Sequence, residues 1–324
     1  TVYGVTNTNQ LVRFDTSAPT DVTIVGNITG LQSGETIRGI DFRPATGQLF
    51  GISDMNHLYT VNRNTGAAAI VGTLNNGGTF PDVGFDFNPT VDRIRLVSEA
   101  DENRRINPTD ATAIVDGTLM YMAGDPNAEQ NPNIVAAGYT NSFGGSTSTA
   151  LYDIDSNLDI LAQQNPANAG TLQTIGGLTW NTSDNVGLDI FGGNNSALAT
   201  LELVIGGKPA GNSGLYQIDL STGTAAFIAP VGINSPIISL AVSNASAATR
   251  TLDFDGDGRT DYAVFRPENS TWYFRRSSDG SDVSVQFGQV TTDFLTPGDY
   301  DGDGKTDIAV WRETNGTFYY IQSS

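Results

Sequence analysis

The sequence has no cysteine, so it can build neither a disulfide framework nor a thiolate metal site. Histidine occurs once, at His57, which excludes by count a metal centre resting on several imidazoles. Lysine is confined to Lys208 and Lys305, and 16 basic residues face 35 acidic ones for a net charge of −19. Nucleic acid and anionic membrane surfaces are therefore poor partners, because phosphate-rich surfaces need a basic footprint. No run of about 18 apolar residues occurs, so no spanning helix is expected. A basic segment leading into an apolar stretch is also lacking, and the chain opens on TVYGVT, already a strand pattern. Loss of a targeting segment from an exported bacterial precursor is expected. Apolar residues nowhere keep helical spacing over three turns.

What the sequence does have is short β-type runs bounded by Gly, Asn, Asp and Pro, and they repeat. A Gly-apolar-Asp-apolar phrase occurs as GIDF at Gly39, GFDF at Gly84 and GLDI at Gly187, with weaker copies GYTN at Gly138 and SLAV at Ser239. An apolar strand follows: VYGVT from Val2, LFGIS from Leu49, RIRLVS from Arg93, LYDID from Leu151 and LELVIG from Leu201. A third phrase reads LVRFD, LYTVN, NRRIN, LDILA and LYQID, starting at Leu11, Leu58, Asn103, Leu158 and Leu215. The fourth is VTIVG from Val22, AIVG from Ala69, AIVD from Ala113, LQTIG from Leu172 and AFIAPVG from Ala226.

Four strands per unit, five times over, is the pattern of propeller blades. The set is offset: the N-terminus supplies strands two to four of a blade whose first strand is SLAV. The expected fold is all-β, with residues 1–243 as a five-bladed β-propeller closed by both domain termini. A sandwich or solenoid built from the same strands is the competing architecture. The phrases VYGVTNTNQLVRFDTSAPTDVTIVG, GIDFRPATGQLFGI, LYTVNRNTGAAAIVG and GFDFNPTVDRIRLVS resemble the family known as domain of unknown function 4394. That resemblance implies an exported propeller and no chemistry.

Residues 244–250, NASAATR, read as a linker. Residues 251–324 then carry one acidic phrase twice, LDFDGDGRTD from Leu252 and GDYDGDGKTD from Gly298. Asp253, Asp255, Asp257 and Asp261 stand at positions 1, 3, 5 and 9 of the first loop, as Asp299, Asp301, Asp303 and Asp307 do in the second. Gly256, Gly258, Gly302 and Gly304 supply the turning freedom that points alternate carboxylates inward. A hard cation taking oxygen ligands fits, and one Ca²⁺ per loop, two in all, is expected. The carbonyls of Arg259 and Lys305, at position 7, could complete each shell. An EF-hand would need Glu at position 12 between helices, where these loops have Val264 and Val310 on strand-like flanks. The matching runs TDYAVFRPENSTWYFRRSS and TDIAVWRETNGTFYYIQSS resemble FG-GAP/VCBS repeats, which implies calcium held by these acids in a structural role. Two repeats do not close a ring, so they pack as an open pair, dock on the propeller, or pair with another chain.

Other residues invite a catalytic reading. His57 reads as a surface histidine. Asp41, Asp86 and Asp189 share one repeat position, with Thr140 and Ala241 at the other two. They could ring a channel as cation ligands or as an acid–base pair, or each could bond the backbone of the next blade. The leading reading is a non-enzymatic extracellular bacterial structural or adhesive protein. It is stabilised by calcium, self-assembles on the cell surface, and has its own copies or extracellular ligands as partners. The alternative is a secreted hydrolase cleaving a carbohydrate or lactone in the propeller channel.

Overall fold

The computed structural model describes residues 1–75, 77–78, 80–243, 252–257, 259–290, 292–301 and 303–323. The expected linker at 244–250, and Gly258 and Gly302 of the acidic loops, lie outside these. The fold is all-β; among the described residues helix is limited to 3₁₀ turns such as Ala167–Ala169. The chain divides into two compact units, the first made of Thr1–Pro44, Gln48–Ser142 and Ser146–Ser243.

Among the described residues, five sheets make up the first unit, each with four consecutive antiparallel strands. Their first strands are Ile37–Phe42, Val83–Asn88, Ile134–Tyr139, Thr182–Phe191 and Ile237–Val242. The last of these pairs antiparallel with Val2–Thr6, aligning Val2 with Val242 and Gly4 with Leu240, so the two ends of the unit share one sheet. Two sheets carry an extra short strand: Met120–Tyr121 runs parallel to Thr171–Gly177, and Lys208–Pro209 pairs with Ser196–Ile205. In the sheet that starts at Ile134, the strand of the third phrase begins two residues later than the sequence suggests, at Ile160. Asp155 Oδ1 accepts the N–H groups of Asn157 and Leu158 there and holds Leu158 in a turn.

The five first strands pack side by side in one cycle. Ile37–Phe42 lies against Val83–Asn88, then come Ile134–Tyr139, Thr182–Phe191 and Ile237–Val242, which returns to Ile37–Phe42. This arrangement is propeller-like. The repeated glycine explains how strands come so close without backbone pairing. A Cβ on Gly39 would stand 2.4 Å from Phe85 Cβ, one on Gly84 2.7 Å from Ala137 N, and one on Gly187 2.7 Å from Leu240 N. Ser239 fills the equivalent place in the fifth strand, and its Oγ accepts the Ile40 N–H at 2.9 Å. Apolar residues of successive sheets interlock outside this cycle, as where Phe50, Ile52 and Leu58 pack on Phe85, Phe87 and Leu96.

The second unit holds two three-stranded sheets: Tyr262–Arg266, Thr271–Arg275 and Asp282–Gln286, then Asp293–Leu295, Ile308–Arg312 and Thr317–Ile321. They pack face to face as an open pair. Phe254, Trp272 and Phe274 from the first sheet's side meet Ile308 and Val310 of the second. Strands, not helices, follow both acidic loops, as the rejection of an EF-hand requires. No helix among the described residues is long and apolar enough to cross a membrane.

Candidate functional site

In an extended strand, residues two apart share a face. The Gly-apolar-Asp phrase therefore places its aspartate beside the same neighbouring strand that its glycine admits. Asp41 Oδ2 accepts the Phe87 N–H at 2.7 Å, and its Oδ1 accepts the N–H of Phe42 at 2.6 Å. Asp86 Oδ1 accepts the Tyr139 N–H at 3.1 Å, and Asp189 Oδ2 accepts the Val242 N–H. Each acid thus ties its sheet to the backbone of the next. All three are buried, and one oxygen from each lies within 4.8 Å of the others. Burial raises all three carboxyls. Asp189 reaches about 7 against the pull of the Val242 and Ile190 N–H groups. Asp41 stands well above the usual range through burial and then Asp189, and Asp86 through burial and then Asp41 and Asp189. Three like charges so placed call for protons or a cation.

The acidic loops are built differently. Their carboxylates accept N–H groups of their own turn. Gly256 N–H donates to Asp253 Oδ1 at 2.8 Å, Asp257 N–H to Asp255 Oδ1 at 3.2 Å, and Arg259 N–H to Asp257 Oδ1 at 2.8 Å. The second loop repeats the last two, with Asp303 N–H on Asp301 Oδ1 at 3.2 Å and Lys305 N–H on Asp303 Oδ1 at 2.8 Å. There Gly304 N–H, two positions further on than Gly256, donates to Asp299 Oδ2 at 3.0 Å. Such turns draw the side chains to one side. Oxygens of Asp253, Asp255 and Asp261 lie mutually within 4.8 Å, and so do those of Asp299, Asp301 and Asp303. Asp301 is raised by burial and then by repulsion from Asp303, Asp307 and Asp299.

Two of the eight loop aspartates, one in each loop, fall outside these sets. Asp257 Oδ2 meets the Arg259 guanidinium at 3.0 Å, and its Oδ1 accepts the Ser277 hydroxyl at 2.8 Å. Asp307 accepts the Tyr300 N–H on one oxygen and the Ser323 N–H on the other, both at 2.8 Å. Asp261 holds the corresponding Phe254 and Ser277 N–H groups at 2.8 and 2.7 Å and still belongs to its set. Position 9 is thus a brace that pins loop to sheet. Lys305 Nζ stands 4.0 Å from Asp303 Oδ2.

His57 departs from its expected place on the surface. It is partly buried, with Nδ1 against Glu35 Oε1, while Tyr59 donates its hydroxyl to Glu35 Oε2 at 2.6 Å. Burial and then Glu35 push the Tyr59 phenol up to about 12. Sequence reading missed a second polar group, between the sheets that start at Val83 and Ile134. Buried Arg95 donates to Asn103 Oδ1 at 2.6 Å, Asp116 Oδ2 at 2.8 Å and Asn168 Oδ1 at 2.7 Å. Arg105 adds a two-pronged contact to Asp116 at 2.7 and 2.9 Å. Its members are scattered in the chain with no spacing that marks them.

Comparison with known proteins fits these two constructions. The domain of unknown function (DUF4394) matches residues 10–241. The chain belongs to that family. An FG-GAP-like repeat matches residues 253–321, so the two follow one another in the expected order. No curated protein matches the chain. Among solved structures, the chain is similar to a structural-genomics protein of unknown function from Bacteroides thetaiotaomicron. Identity is 12% and the TM-score 0.42, covering 87% of this chain and 68% of the other. It is also similar to the Dos1 propeller, at 14% identity and TM-score 0.38, covering 98% of this chain and 79% of that one.

Proposed function

We propose that this DUF4394 protein is a non-enzymatic extracellular bacterial protein of structural or adhesive role. Residues 1–243 form a five-bladed propeller closed by strands from both its ends. Residues 251–324 form two calcium-stapled repeats, joined to it through 244–250. The observation that carries the reading is three carboxylates mutually within 4.8 Å in each of two loops of one sequence pattern, from positions 1, 3 and 9 in the first and 1, 3 and 5 in the second. Anionic oxygens on a glycine-bearing turn suit a hard cation of flexible geometry, and Ca²⁺ fits better than Mg²⁺, which demands a near-ideal octahedron. Asp253, Asp255 and Asp261 would hold one ion, and Asp299, Asp301 and Asp303 the other. The Arg259 and Lys305 carbonyls remain the candidates to complete each shell. The ion would supply charge neutralisation and loop closure, which is folding free energy rather than chemistry.

The hydrolase alternative draws on Asp41, Asp86 and Asp189, and their setting speaks against it. Carboxylates that cleave a glycoside must meet both substrate and water. These three are buried and engaged with backbone N–H groups. Elemental analysis of the purified chain tests the calcium reading. Two calcium ions per chain are expected, one lost in Asp255→Ala and the other in Asp301→Ala. A chain that binds no calcium, and whose melting is indifferent to EDTA, would sink it.

A further inference from the structure

Two strands of each C-terminal sheet and the acidic loop before them follow the same sequence pattern 46 residues apart, so those positions in one sheet have counterparts in the other, while the third strands, Asp282–Gln286 and Asp293–Leu295, do not. Burial separates those counterparts. In the first sheet the inward side chains include Phe265, Trp272 and Phe274, with Phe254 of the acidic loop stacked on Phe274 at 4.2 Å. Their counterparts are Trp311, Phe318 and Tyr320, with Tyr300 stacked on Tyr320 at 5.3 Å. The same aromatic platform is thus built twice. In the first repeat it is covered, Phe274 being 8% exposed; in the second Phe318 is 54% and Tyr320 46% exposed, while Trp311 is half-buried with Phe294 beside it.

What covers the first platform is the opposite face of the second sheet: Ile308, Val310 and Tyr319, with Arg312 lying over the Tyr319 ring at 4.5 Å. The counterparts of those residues in the first sheet are Tyr262, Val264, Tyr273 and Arg266. Arg266 lies over the Tyr273 ring at 5.0 Å, so this face repeats the covering face down to its cation–π pair. It too is open, with Tyr262 84% and Val264 64% exposed. One chain therefore presents, on two separate faces, both halves of a contact whose complete form it contains internally.

We propose that a second copy of this chain seats its Tyr262, Val264 and Tyr273 face on the Tyr300, Phe318 and Tyr320 platform of the first. The inference rests on the structural-protein reading above and gives its self-assembly a surface. The contact is head-to-tail: each copy uses one face and leaves the other free, so copies add in series, ending only where the rotation between them closes a ring. Tyrosines stand at positions 300 and 320, where the covered platform has Phe254 and Phe274. A ring with a polar tip tolerates water in the monomer and still buries its body in a contact. Strands of at most five residues, three in Asp293–Leu295, at about 3.3 Å per residue and three to a sheet at about 4.8 Å spacing, give a face of at most roughly 17 by 14 Å. That is small against stable interfaces, so association is reversible and driven by concentration. Net charge of −19 opposes it, and salt or calcium promotes it.

Sedimentation velocity of the full chain with calcium, from micromolar to millimolar protein, tests this. Wild type is expected to pass beyond the dimer to trimer and larger species, since a head-to-tail contact leaves the dimer with two free faces. Val264→Asp and Phe318→Asp, both at exposed positions, should keep the wild-type melting temperature and associate at least tenfold more weakly. Mixed one to one, they should form dimers and nothing larger, because each variant retains the face the other lacks. A monomeric wild type at every concentration overturns the proposal, as does association that stops at a symmetric dimer. Association unchanged in both variants also overturns it, by moving the contact elsewhere. None of these outcomes touches the calcium stoichiometry, so failure here is separable from failure of the calcium reading.

Discussion

Asp41, Asp86 and Asp189 meet the same distance condition as Asp253, Asp255 and Asp261, yet the two sets solve like-charge repulsion in different ways. The first set is buried between strands of different sheets, and its hydrogen bonds run from one sheet to the next. Burial there favours the neutral acid, and a proton is the ready remedy. The loop set sits on a turn and accepts N–H groups of that turn. Asp253 and Asp261 of that set are buried as well, but its acids are gathered on one turn rather than between sheets, and a divalent cation is the partner proposed for them. Proximity of carboxylates alone therefore does not define a metal site. What surrounds them decides which partner is drawn in.

Chelation gives the widest separation between the two. A ligand at a thousandfold excess over its Kd stabilises the folded state by about 4 kcal/mol. Removing calcium with EDTA should cost the second unit about that much per ion and leave the first nearly unchanged. Hydrogen exchange resolves the two. Amides of Tyr262–Arg266 and Ile308–Arg312 should lose protection while those of Ile37–Phe42 and Val83–Asn88 keep theirs. Equal loss in both units would erase the distinction and place a structural ion among Asp41, Asp86 and Asp189 as well.

Glycines sharpen the comparison at a smaller scale. Gly84 is needed for space, since an added Cβ would lie 2.6 Å from Ala137 Cβ and 2.7 Å from its backbone N. Gly304 is needed for conformation: its φ is +86° and an added Cβ would meet nothing within 4 Å. Gly84→Ala should cost about 1–3 kcal/mol by overpacking, and Gly304→Ala about 1 kcal/mol by left-handed strain. Asparagine tolerates that region, so Gly304→Asn should recover most of the loss, whereas Gly84→Asn should be worse than Gly84→Ala. Thermal melting of the four variants checks the pattern. Rescue by asparagine at both positions would show that Gly84 is not packed as described.

Much of this was legible because repetition turns weak local signals into a strong one. No single GIDF reveals a strand, but GIDF, GFDF and GLDI at matched places reveal Ile37–Phe42, Val83–Asn88 and Thr182–Phe191 together. The offset of SLAV foretold the pairing of Ile237–Val242 with Val2–Thr6. Alternation of Asp and Gly foretold the two turns, but it treats four acids as equals. Only the three-dimensional surroundings separate Asp257, engaged by the Arg259 guanidinium, from Asp255, which accepts the Ser278 N–H and hydroxyl. The group around Arg95 left no trace in the sequence, since Asn103, Asp116 and Asn168 converge on it through three different connections. Opposite fates of Phe274 and Tyr320 were likewise hidden, because both read as apolar residues of one pattern.

The finest test is the proton itself. Asp189 titrates at about 7 in the folded chain because burial opposes its charge, whereas an exposed aspartate titrates at about 3.9. Between those values the folded state holds a proton that the unfolded state has released. Stability must therefore fall as pH rises from about 4 toward 7, with a slope of at most about 1.4 kcal/mol per pH unit from this group. The substitution Asp189→Asn keeps an acceptor for the Val242 N–H and carries no charge at any pH. That variant and wild type should melt alike near pH 4, where both are neutral at this site. By pH 7 the variant should be more stable, by on the order of 1 kcal/mol once relaxation around the buried charge is allowed for. Melting in EDTA keeps the loop sites out of the comparison, and the difference between the two proteins cancels the general effect of net charge. A difference that stays flat across this range would mean that the carboxyl of Asp189 is ionised throughout and that burial holds no proton there. A variant less stable at every pH would instead mean that the carboxylate's bond to Val242 outweighs the charge it brings.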